Sequence, residues 1–264
     1  TGVTVGHDKA AFRRDGQELV ITPKHALREG REFRVTVTYA GTPGPVTDPD
    51  GSLDGWIPTD DGAFVAGEPQ GAMTWFPGNN HPKDKASYDI TLTVPEGRTA
   101  VSNGVLLGRR TAHGRTTFRW RQAEPMAAYL ATATVGTFEV ERYRTADGIE
   151  VYNAVDPREA AEAAPVLKKL PSVLAWESKL FGPYPFRAAA YSARRRADAP
   201  ATCRSSGSKR PGPVSSPPLD RAAVPAGSSA RINRPPPRPA ARPCRSSRPG
   251  SAAAPAARGP RRAA

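Results

Sequence analysis

Hydrophobic and polar residues alternate along much of the first 155 positions, with the two-residue period of half-buried strands. Asp147-Gly148 separates two such runs and is a favoured hairpin turn. By contrast, Gly41–Gly55 carries several Pro, Asp and Gly residues and reads as an exposed loop. The pattern therefore predicts a mainly antiparallel β domain with strands at Glu18–Thr22, Glu32–Tyr39, Ala86–Val94, Val105–Arg110, Thr116–Gln122, Tyr129–Val135, Thr137–Arg144 and Ile149–Ala154.

The period of the pattern changes after this region. Asp156-Pro157 is a typical helix start, and it is followed at helical spacing by Glu159, Ala160, Ala163, Val166, Leu167 and Leu170. Pro171 interrupts this stretch, and a second helical stretch, Ser172–Phe181, ends before Gly182. A β domain that is followed along the chain by helices indicates an α+β arrangement or the start of a second domain.

The composition changes sharply after Arg187. In residues 188–264, 20 Ala, 15 Arg, 14 Pro and 11 Ser supply 60 of the 77 positions. This stretch carries a net charge of +14, whereas residues 1–187 carry −1. Its large apolar residues are too few to offset an ordering cost of ~1–2 kcal/mol per residue. We expect residues 188–264 to form a disordered tail.

Two origins of this tail are open. A genuine arginine-rich arm would contact nucleic acid or acidic partners by charge alone, yet it lacks lysine blocks, RGG repeats and stacking aromatics beyond Tyr191. A frameshift in a GC-rich gene explains the composition directly, because the codons of Ala, Arg, Pro and Gly can begin with two G or C bases. We favour the frameshift. Translation of the coding DNA in all three frames distinguishes the two origins.

Composition also limits the kind of protein. No run approaches the ~18 apolar residues of a membrane helix, and no secretory signal opens the chain. The only two cysteines, Cys203 and Cys244, lie in the tail and are too few for a disulfide scaffold. A cysteine-free fold is compatible with a secreted or a cytoplasmic protein, so the compartment stays open.

Three segments carry a family resemblance. The most informative begins at Glu68 and reads E-P-Q-G-A-M-T-W-F-P-G-N-N-H-P-K-D-K-A; it is followed by P-M-A-A-Y-L-A from Pro125 and by E-S-K-L-F-G-P-Y-P-F from Glu177. Together they resemble the M1 family of zinc aminopeptidases, the gluzincins that include aminopeptidase N and leukotriene A4 hydrolase. In the first segment the family has Arg, Cys and Asp where this chain has Met73, Gly78 and Asn80.

The resemblance implies a role for one residue. In many family members the glutamate that matches Glu68 reaches from the β domain into the active site and binds the free α-amino group of the peptide. A carboxylate facing an ammonium makes a charge-assisted hydrogen bond, and it selects peptides with a free N-terminus. We interpret His81 as a turn residue. Of Trp75 and Phe76 we expect one in the core and one against a neighbouring domain.

The family's zinc chemistry has no counterpart in this sequence. It needs two His and a Glu on zinc and a second Glu as general base, supplied by an HExxH motif and a later Glu. No HExxH occurs here, and the histidines stand isolated at His7, His25, His81 and His113. We therefore name no catalytic or metal residue. We expect this chain alone to bind no catalytic zinc and to hydrolyse no peptide, which an aminopeptidase assay with and without zinc tests.

These observations give one interpretation of the whole chain. Residues 1–144 would form the saddle-like antiparallel N-terminal β domain, incomplete at its start, and residues 145–187 the truncated beginning of a catalytic domain. Residues 188–264 would be the disordered tail. The chain would then be a fragment of a zinc metallo-aminopeptidase that removes N-terminal residues from peptides. The alternative is a non-enzymatic β binding module with a basic arm; salt-sensitive binding to nucleic acid that is lost without residues 188–264 would support it.

Overall fold

The computed structural model describes residues 2–193 and 229–233. Seventeen strands and one α-helix are found there, together with three short 3₁₀ turns at Gly71–Thr74, Ala128–Leu130 and Pro157–Glu159. In chain order the elements are β1 (Gly2–Val5), β2 (Asp8–Lys9), β3 (Ala11–Asp15), β4 (Glu18–Thr22), β5 (Val35–Thr38), β6 (Pro45–Thr47), β7 (Leu53–Thr59), β8 (Gly62–Ala66), β9 (Ala86–Pro95), β10 (Thr99–Ser102), β11 (Val105–Ala112), β12 (Arg115–Met126), β13 (Ala133–Gly136), β14 (Glu139–Arg144), β15 (Glu150–Val155), α1 (Ala160–Phe181), β16 (Ala188–Ala193) and β17 (Ser229–Asn233).

Two large sheets enclose the main core. One has the strand order β10-β13-β8-β7-β6 and the other β11-β12-β9-β17. Strand β9 shows the alternation most clearly, because every second residue from Ala86 to Val94 is buried. Its partner β12 buries Phe118 and Trp120 in the same core, and β7 supplies Trp56. The mainly antiparallel β fold expected from the sequence is therefore confirmed.

Three smaller sheets complete the fold. The sheets β2-β1-β5 and β3-β4 come from the first 38 residues, and β14-β15-β16 follows the large sheets along the chain. Strands β14 and β15 form the hairpin predicted around Asp147-Gly148. Strand β16 instead pairs parallel to β15, which makes β15-α1-β16 a crossover unit with the helix between the two strands.

The helix is continuous where the sequence predicted a break. Helix α1 runs from Ala160 to Phe181 with Pro165 and Pro171 inside it. Proline removes one backbone donor and disfavours a helix interior by about 3 kcal/mol. The prediction of two stretches was wrong because Leu170 and Leu174, on either side of Pro171, pack on Ile149 and Ala189 in a second core, and this packing outweighs the local preference.

The prediction of an exposed loop at Gly41–Gly55 was also wrong in part. Strand β6 lies within this range, and β7 begins at Leu53. The Asp54 side chain is buried and faces the segment that follows β8. The Pro, Asp and Gly content of the segment correctly indicated a turn. It could not show that the residues on the two sides of this turn pair with each other as β6 and the start of β7.

Two segments of the expected tail form strands. Residues 188–193 form β16, whose backbone pairs with β15 and whose Ala189 is buried. Residues 229–233 form β17, which pairs antiparallel with the outer edge of β9. Each strand pairs with the free edge of another strand, β16 with β15 and β17 with β9. Such pairing depends on tertiary structure, so amino-acid composition could not predict it. The remaining positions of the expected tail, 194–228 and 234–264, lie outside the described residues.

Ion pairs connect the start of the helical region to the β domain. The Arg158 guanidinium contacts Asp156 at 2.7 Å and Asp60, in the β7–β8 turn, at 3.1 Å. Nearby, Arg98 contacts Asp61 at 2.8 Å. Asp156, and after it Asp60, raise the pKa of Arg158 further above its usual value by hydrogen bonding and by charge, so Arg158 stays charged at every accessible pH. The cluster fixes where the helical region leaves the large sheets.

Candidate functional site

Glu68 lies on the short connection that follows β8, the central strand of the five-stranded sheet. Strand β8 ends at Ala66, and the 3₁₀ turn Gly71–Thr74 begins five residues later. The Glu68–Pro69 peptide bond is cis, and the Glu68 side chain is exposed. Among the described residues, its carboxylate has no hydrogen-bond or ion-pair partner. The connection thus presents one free acidic group to solvent, and residues 67–70 are called the Glu68 loop below.

Close backbone packing holds the first half of the Glu68 loop. The Gly71 N–H donates to the Gly67 carbonyl at 2.9 Å, which closes the loop on itself. A Cβ atom on Gly67 would stand 2.2 Å from the Tyr129 carbonyl oxygen. Only glycine fits there, because the backbone of the segment before β13 passes directly against it. The segment Pro125–Ala131, the second of those that resemble the family, therefore packs through the Tyr129 backbone against the start of the Glu68 loop.

Side-chain hydrogen bonds hold the second half of the loop. The Asn80 amide donates to the Pro69 carbonyl at 3.3 Å, and the Gln70 amide donates to the Asp48 carboxylate at 2.7 Å. Asp48 follows β6, and Asn80 follows the 3₁₀ turn. Two separate parts of the chain therefore fix the positions of the two residues directly after Glu68.

The 3₁₀ turn anchors the loop in the core. The Thr74 hydroxyl donates to the Gly71 carbonyl at 2.7 Å and accepts from the Trp56 N–H at 3.0 Å. Trp75 and Phe76 are both buried, with ring centroids 4.9 Å apart in an edge-to-face arrangement. The expectation that one of them would pack against a neighbouring domain was wrong. Both can be buried because they follow a 3₁₀ turn, where the alternation of a strand does not apply.

An acidic pair lies directly beneath the Glu68 loop. Only 6% of Asp54 is exposed, and its Oδ2 atom has no hydrogen-bond partner. Burial raises the pKa of Asp54, and the neighbouring Asp48 raises it further by hydrogen bonding and by charge. The Gln70 backbone N–H acts in the opposite direction as a donor to the carboxylate, and Asp50 adds a smaller repulsion. The sequence interpretation missed this pair, although the D-P-D-G-S-L-D stretch carries its residues.

The raised pKa gives a testable pH dependence. Because the folded state favours protonated Asp54, the stabilisation is fully present below the pKa of the unfolded chain, and it is lost as the pH rises through the folded value. We expect Asp54→Asn to flatten the fall in unfolding free energy between acidic and neutral pH. Urea denaturation monitored by tryptophan fluorescence at a series of pH values measures this. Asp147→Asn, at an exposed turn, should keep the wild-type slope, and an equal slope in Asp54→Asn would contradict the prediction.

His81 occupies an exposed turn after the 3₁₀ segment. Its Nδ1 atom accepts from the Lys83 N–H at 3.1 Å, and its carbonyl accepts from the Asp84 N–H at 2.9 Å. These bonds close a turn and confirm the interpretation of His81 as a turn residue. Close to it, the Asn79 amide donates to the Asp84 carboxylate at 2.8 Å.

No metal centre is found in the part of the chain that the structure describes. Within residues 2–193 and 229–233, no three His, Cys, Asp or Glu side chains come together in a way that could hold a metal ion. The donor set therefore does not fit a catalytic zinc ion, which needs three protein ligands. In the same residues, no helix is both long and apolar enough to cross a bilayer.

Comparison with known sequences identifies the β domain. Residues 4–130 match the family model described as the peptidase M1 N-terminal domain. A curated relative, aminopeptidase M1 of Arabidopsis thaliana, is 32% identical over 84 residues. That match covers 32% of this chain and only 10% of the relative.

Comparison with solved structures agrees on the fold. An M1 zinc metallopeptidase from Deinococcus radiodurans matches with a TM-score of 0.65 at 22% identity, over 74% of this chain and 46% of its own. A structure of the Deinococcus enzyme with a Tyr-Ser-Ala substrate gives a TM-score of 0.63. Aminopeptidase A of Legionella pneumophila, in complex with aspartic acid, gives 0.57 at 18% identity, over 73% of this chain and 23% of its own. The chain therefore spans less than half the length of these structural relatives.

Proposed function

Because the chain carries the N-terminal domain of the M1 peptidase family, we propose that it forms the N-terminal part of a zinc metallo-aminopeptidase, with Glu68 as the group that binds the free α-amino end of a peptide. The family match over residues 4–130 is the observation that carries this proposal. The resembling segments at Glu68, Pro125 and Glu177 extend it to residue 186. In this proposal residues 1–144 are the N-terminal domain and residues 145–187 begin the catalytic domain.

The structure of the Glu68 loop supports the role of Glu68. Its carboxylate is exposed and has no partner among the described residues, so it can accept hydrogen bonds from a ligand ammonium. The loop is held on both sides, by Gly67 against the Tyr129 backbone and by the contacts of Pro69 and Gln70. Because the backbone of the loop is already held, binding a ligand does not have to order it, and only the Glu68 side chain loses conformational entropy.

Glu68 would select the ligand by charge. An N-terminal ammonium carries a positive charge and three N–H donors, whereas an acetylated N-terminus offers one neutral amide donor. The zinc-activated water that cleaves peptides in such enzymes needs ligands that the described residues do not bring together. We therefore assign binding and orientation of the amino end, and no bond-breaking step, to the described residues of this chain.

A binding experiment tests the role of Glu68. We would titrate the ¹⁵N-labelled chain with L-leucine amide and with N-acetyl-L-leucine amide and follow the backbone amide shifts. A lone exposed carboxylate contributes only about 0.2–1 kcal/mol to an ion pair, so we expect weak binding, with Kd above about 1 mM. The free amine should shift the Glu68 loop, and the acetylated compound should not.

Two variants test whether the shifts depend on the Glu68 carboxylate. Glu68→Gln keeps the size of the side chain and removes its charge, and it should abolish the shifts. Glu96→Gln, in the exposed turn after β9, is the matched control and should leave them unchanged. Equal shifts with the acetylated compound, or shifts that persist in Glu68→Gln, would show that Glu68 does not bind the amino group.

A further inference from the structure

The segment that packs against the start of the Glu68 loop lies just outside the regular pairing of β13. The ladder between β10 and β13 ends at the pair Ser102–Ala133, and the ladder between β8 and β13 ends at Thr134. The residues before Ala133 therefore lie beyond both ladders. Among them is Tyr129, whose carbonyl stands against Gly67. Contacts other than strand pairing must hold this segment in place.

Asn103 holds the segment through its side-chain amide. Its Oδ1 atom accepts from the Thr132 N–H at 2.7 Å, and its Nδ2 atom donates to the Leu130 carbonyl at 2.9 Å. An amide that accepts from one residue and donates to the residue two positions before it replaces the backbone bonds of a strand partner. The side chain of Asn103 therefore continues the hydrogen bonding of β10 beyond the last pair of the ladder.

Two further hydrogen bonds connect this contact to the Glu68 loop. The Ser102 hydroxyl, which is fully buried, donates to the Thr132 carbonyl at 2.6 Å. The Thr132 hydroxyl in turn donates at 3.0 Å to the carbonyl of Val65, two residues before Gly67 on the chain. A chain of hydrogen bonds thus runs from the end of β10 through Thr132 to the end of β8, directly before the Glu68 loop.

The turn that carries Asn103 is itself fixed. Gly104 has a φ of +79°, and a Cβ atom on it would overlap the Arg121 carbonyl. Only glycine fits there, because the turn passes directly against β12. The backbone next to Asn103 is therefore held by the sheet, and its side chain extends from a fixed position.

We propose that Asn103 is a positioning residue for Glu68: by holding the segment before β13, it sets how tightly Glu68 binds the free amino end of a peptide. This inference rests on the binding role proposed for Glu68 above. A carboxylate binds an ammonium more tightly when its backbone does not have to be ordered on binding. Gly67, the residue before Glu68, touches the Tyr129 carbonyl, so a displaced segment moves the base of the Glu68 side chain.

Asn103→Asp tests the proposal, because it keeps the shape of the side chain and replaces the donor to the Leu130 carbonyl by a carboxylate oxygen. At pH 7 we expect the ligand-free ¹⁵N spectrum of the full chain to change at residues 130–132 and across the Glu68 loop. L-leucine amide should bind about 2- to 10-fold more weakly, the factor that corresponds to the net contribution of one hydrogen bond. Gln17→Glu makes the same change of amide to carboxylate at an exposed turn, and as the matched control it should leave both unchanged.

A pH titration of Asn103→Asp gives a readout that a loss of stability would not produce. Below the ordinary pKa of an aspartate, about 3.9, the introduced carboxyl group becomes protonated. Its O–H can then donate to the Leu130 carbonyl while its other oxygen accepts from the Thr132 N–H. The spectral difference between variant and wild type at the Glu68 loop should therefore disappear as the pH falls, whereas a destabilised fold would deviate further.

Thr132→Val tests the last hydrogen bond of the chain. The substitution removes the donor to the Val65 carbonyl and keeps the branched shape of the side chain. We expect the amide signals of the Glu68 loop to move and the affinity for L-leucine amide to fall, as in Asn103→Asp. Circular dichroism of each variant verifies that the fold is intact.

The outcomes separate this inference from the role of Glu68. If L-leucine amide causes no shifts in the wild-type chain, Glu68 does not bind the amino group, and the positioning role fails with it. If the wild type binds and Asn103→Asp binds equally tightly, Glu68 keeps its role and only the positioning role of Asn103 is overturned. A spectral difference that persists at low pH, or loop signals that Thr132→Val leaves unmoved, would overturn it as well.

Discussion

Replacing Trp120 with alanine should lower the free energy of unfolding by about 3–5 kcal/mol, the range for large buried aromatic residues. Trp120 is 1% exposed and lies on β12 in the centre of the main core. Its ring meets Tyr152 edge to face at 5.0 Å, and its indole N–H donates to the Ala100 carbonyl at 3.1 Å. The substitution removes the ring contact, the hydrogen bond and the buried area together, and it leaves a cavity.

Urea denaturation monitored by far-UV circular dichroism measures this loss. A typical domain is stable by about 5–15 kcal/mol, so the substitution should remove a large share of the total. Trp176→Ala is the matched control, because Trp176 is a tryptophan with 59% of its surface exposed. We expect a change within about 0.5 kcal/mol for the control. Equal effects of the two substitutions would show that Trp120 is not part of a packed core.

Gly71→Ala should destabilise the chain and displace the Glu68 loop. A Cβ atom at this position would stand 2.3 Å from the Ala66 carbonyl oxygen and 2.4 Å from the Gly55 nitrogen. Both neighbours are backbone atoms of paired strands, β8 and β7, so neither can move without breaking the sheet. Overpacking of this kind costs about 1–3 kcal/mol and sometimes more, and we expect at least the upper part of that range.

The same denaturation experiment, combined with backbone amide shifts, tests Gly71→Ala. The shifts should change from Gly67 to Thr74 as the loop moves away from the sheet. Gly41→Ala provides the control, since nothing lies within 4 Å of a Cβ atom there. The control should be neutral or slightly stabilising, because alanine restricts the unfolded chain more than glycine does. A neutral Gly71→Ala would mean that β7 and the 3₁₀ turn are not in close contact.

The strands of the main core were predictable because their alternation of apolar and polar residues matches the alternation of buried and exposed positions in the sheet. The alternation of Ala86–Val94 comes from a strand with one face in the core, and the structure places β9 there with one residue added at its end. The hairpin at Asp147-Gly148 was predictable for the same reason, since turn residues and alternating flanks coincide. Short strands at sheet edges, such as β6 and β16, have no such pattern, and their partners alone define them.

The candidate site was only partly predictable. Glu68 could be named because the sequence around it resembles a known family, and nothing in its local chemistry sets it apart from a surface glutamate. The residues that hold its loop come from distant positions: Asp48 and Asn80 by hydrogen bonds, and Tyr129 by backbone contact. A single sequence contains no signal for such contacts, because each depends on how the sheets fold together.

The parallel pairing of β15 with β16 has a consequence for the order of folding. Strand β15 meets β14 across a short turn, so this hairpin can form from local contacts alone. Its other edge must wait for β16, in which Ala188 lies opposite Glu150 after the whole of helix α1 has intervened. Contacts between residues far apart in sequence form more slowly, because a long loop must close first. The edge of β15 that β16 covers is thus exposed transiently during folding, and that interval is when another chain could pair with it and start aggregation.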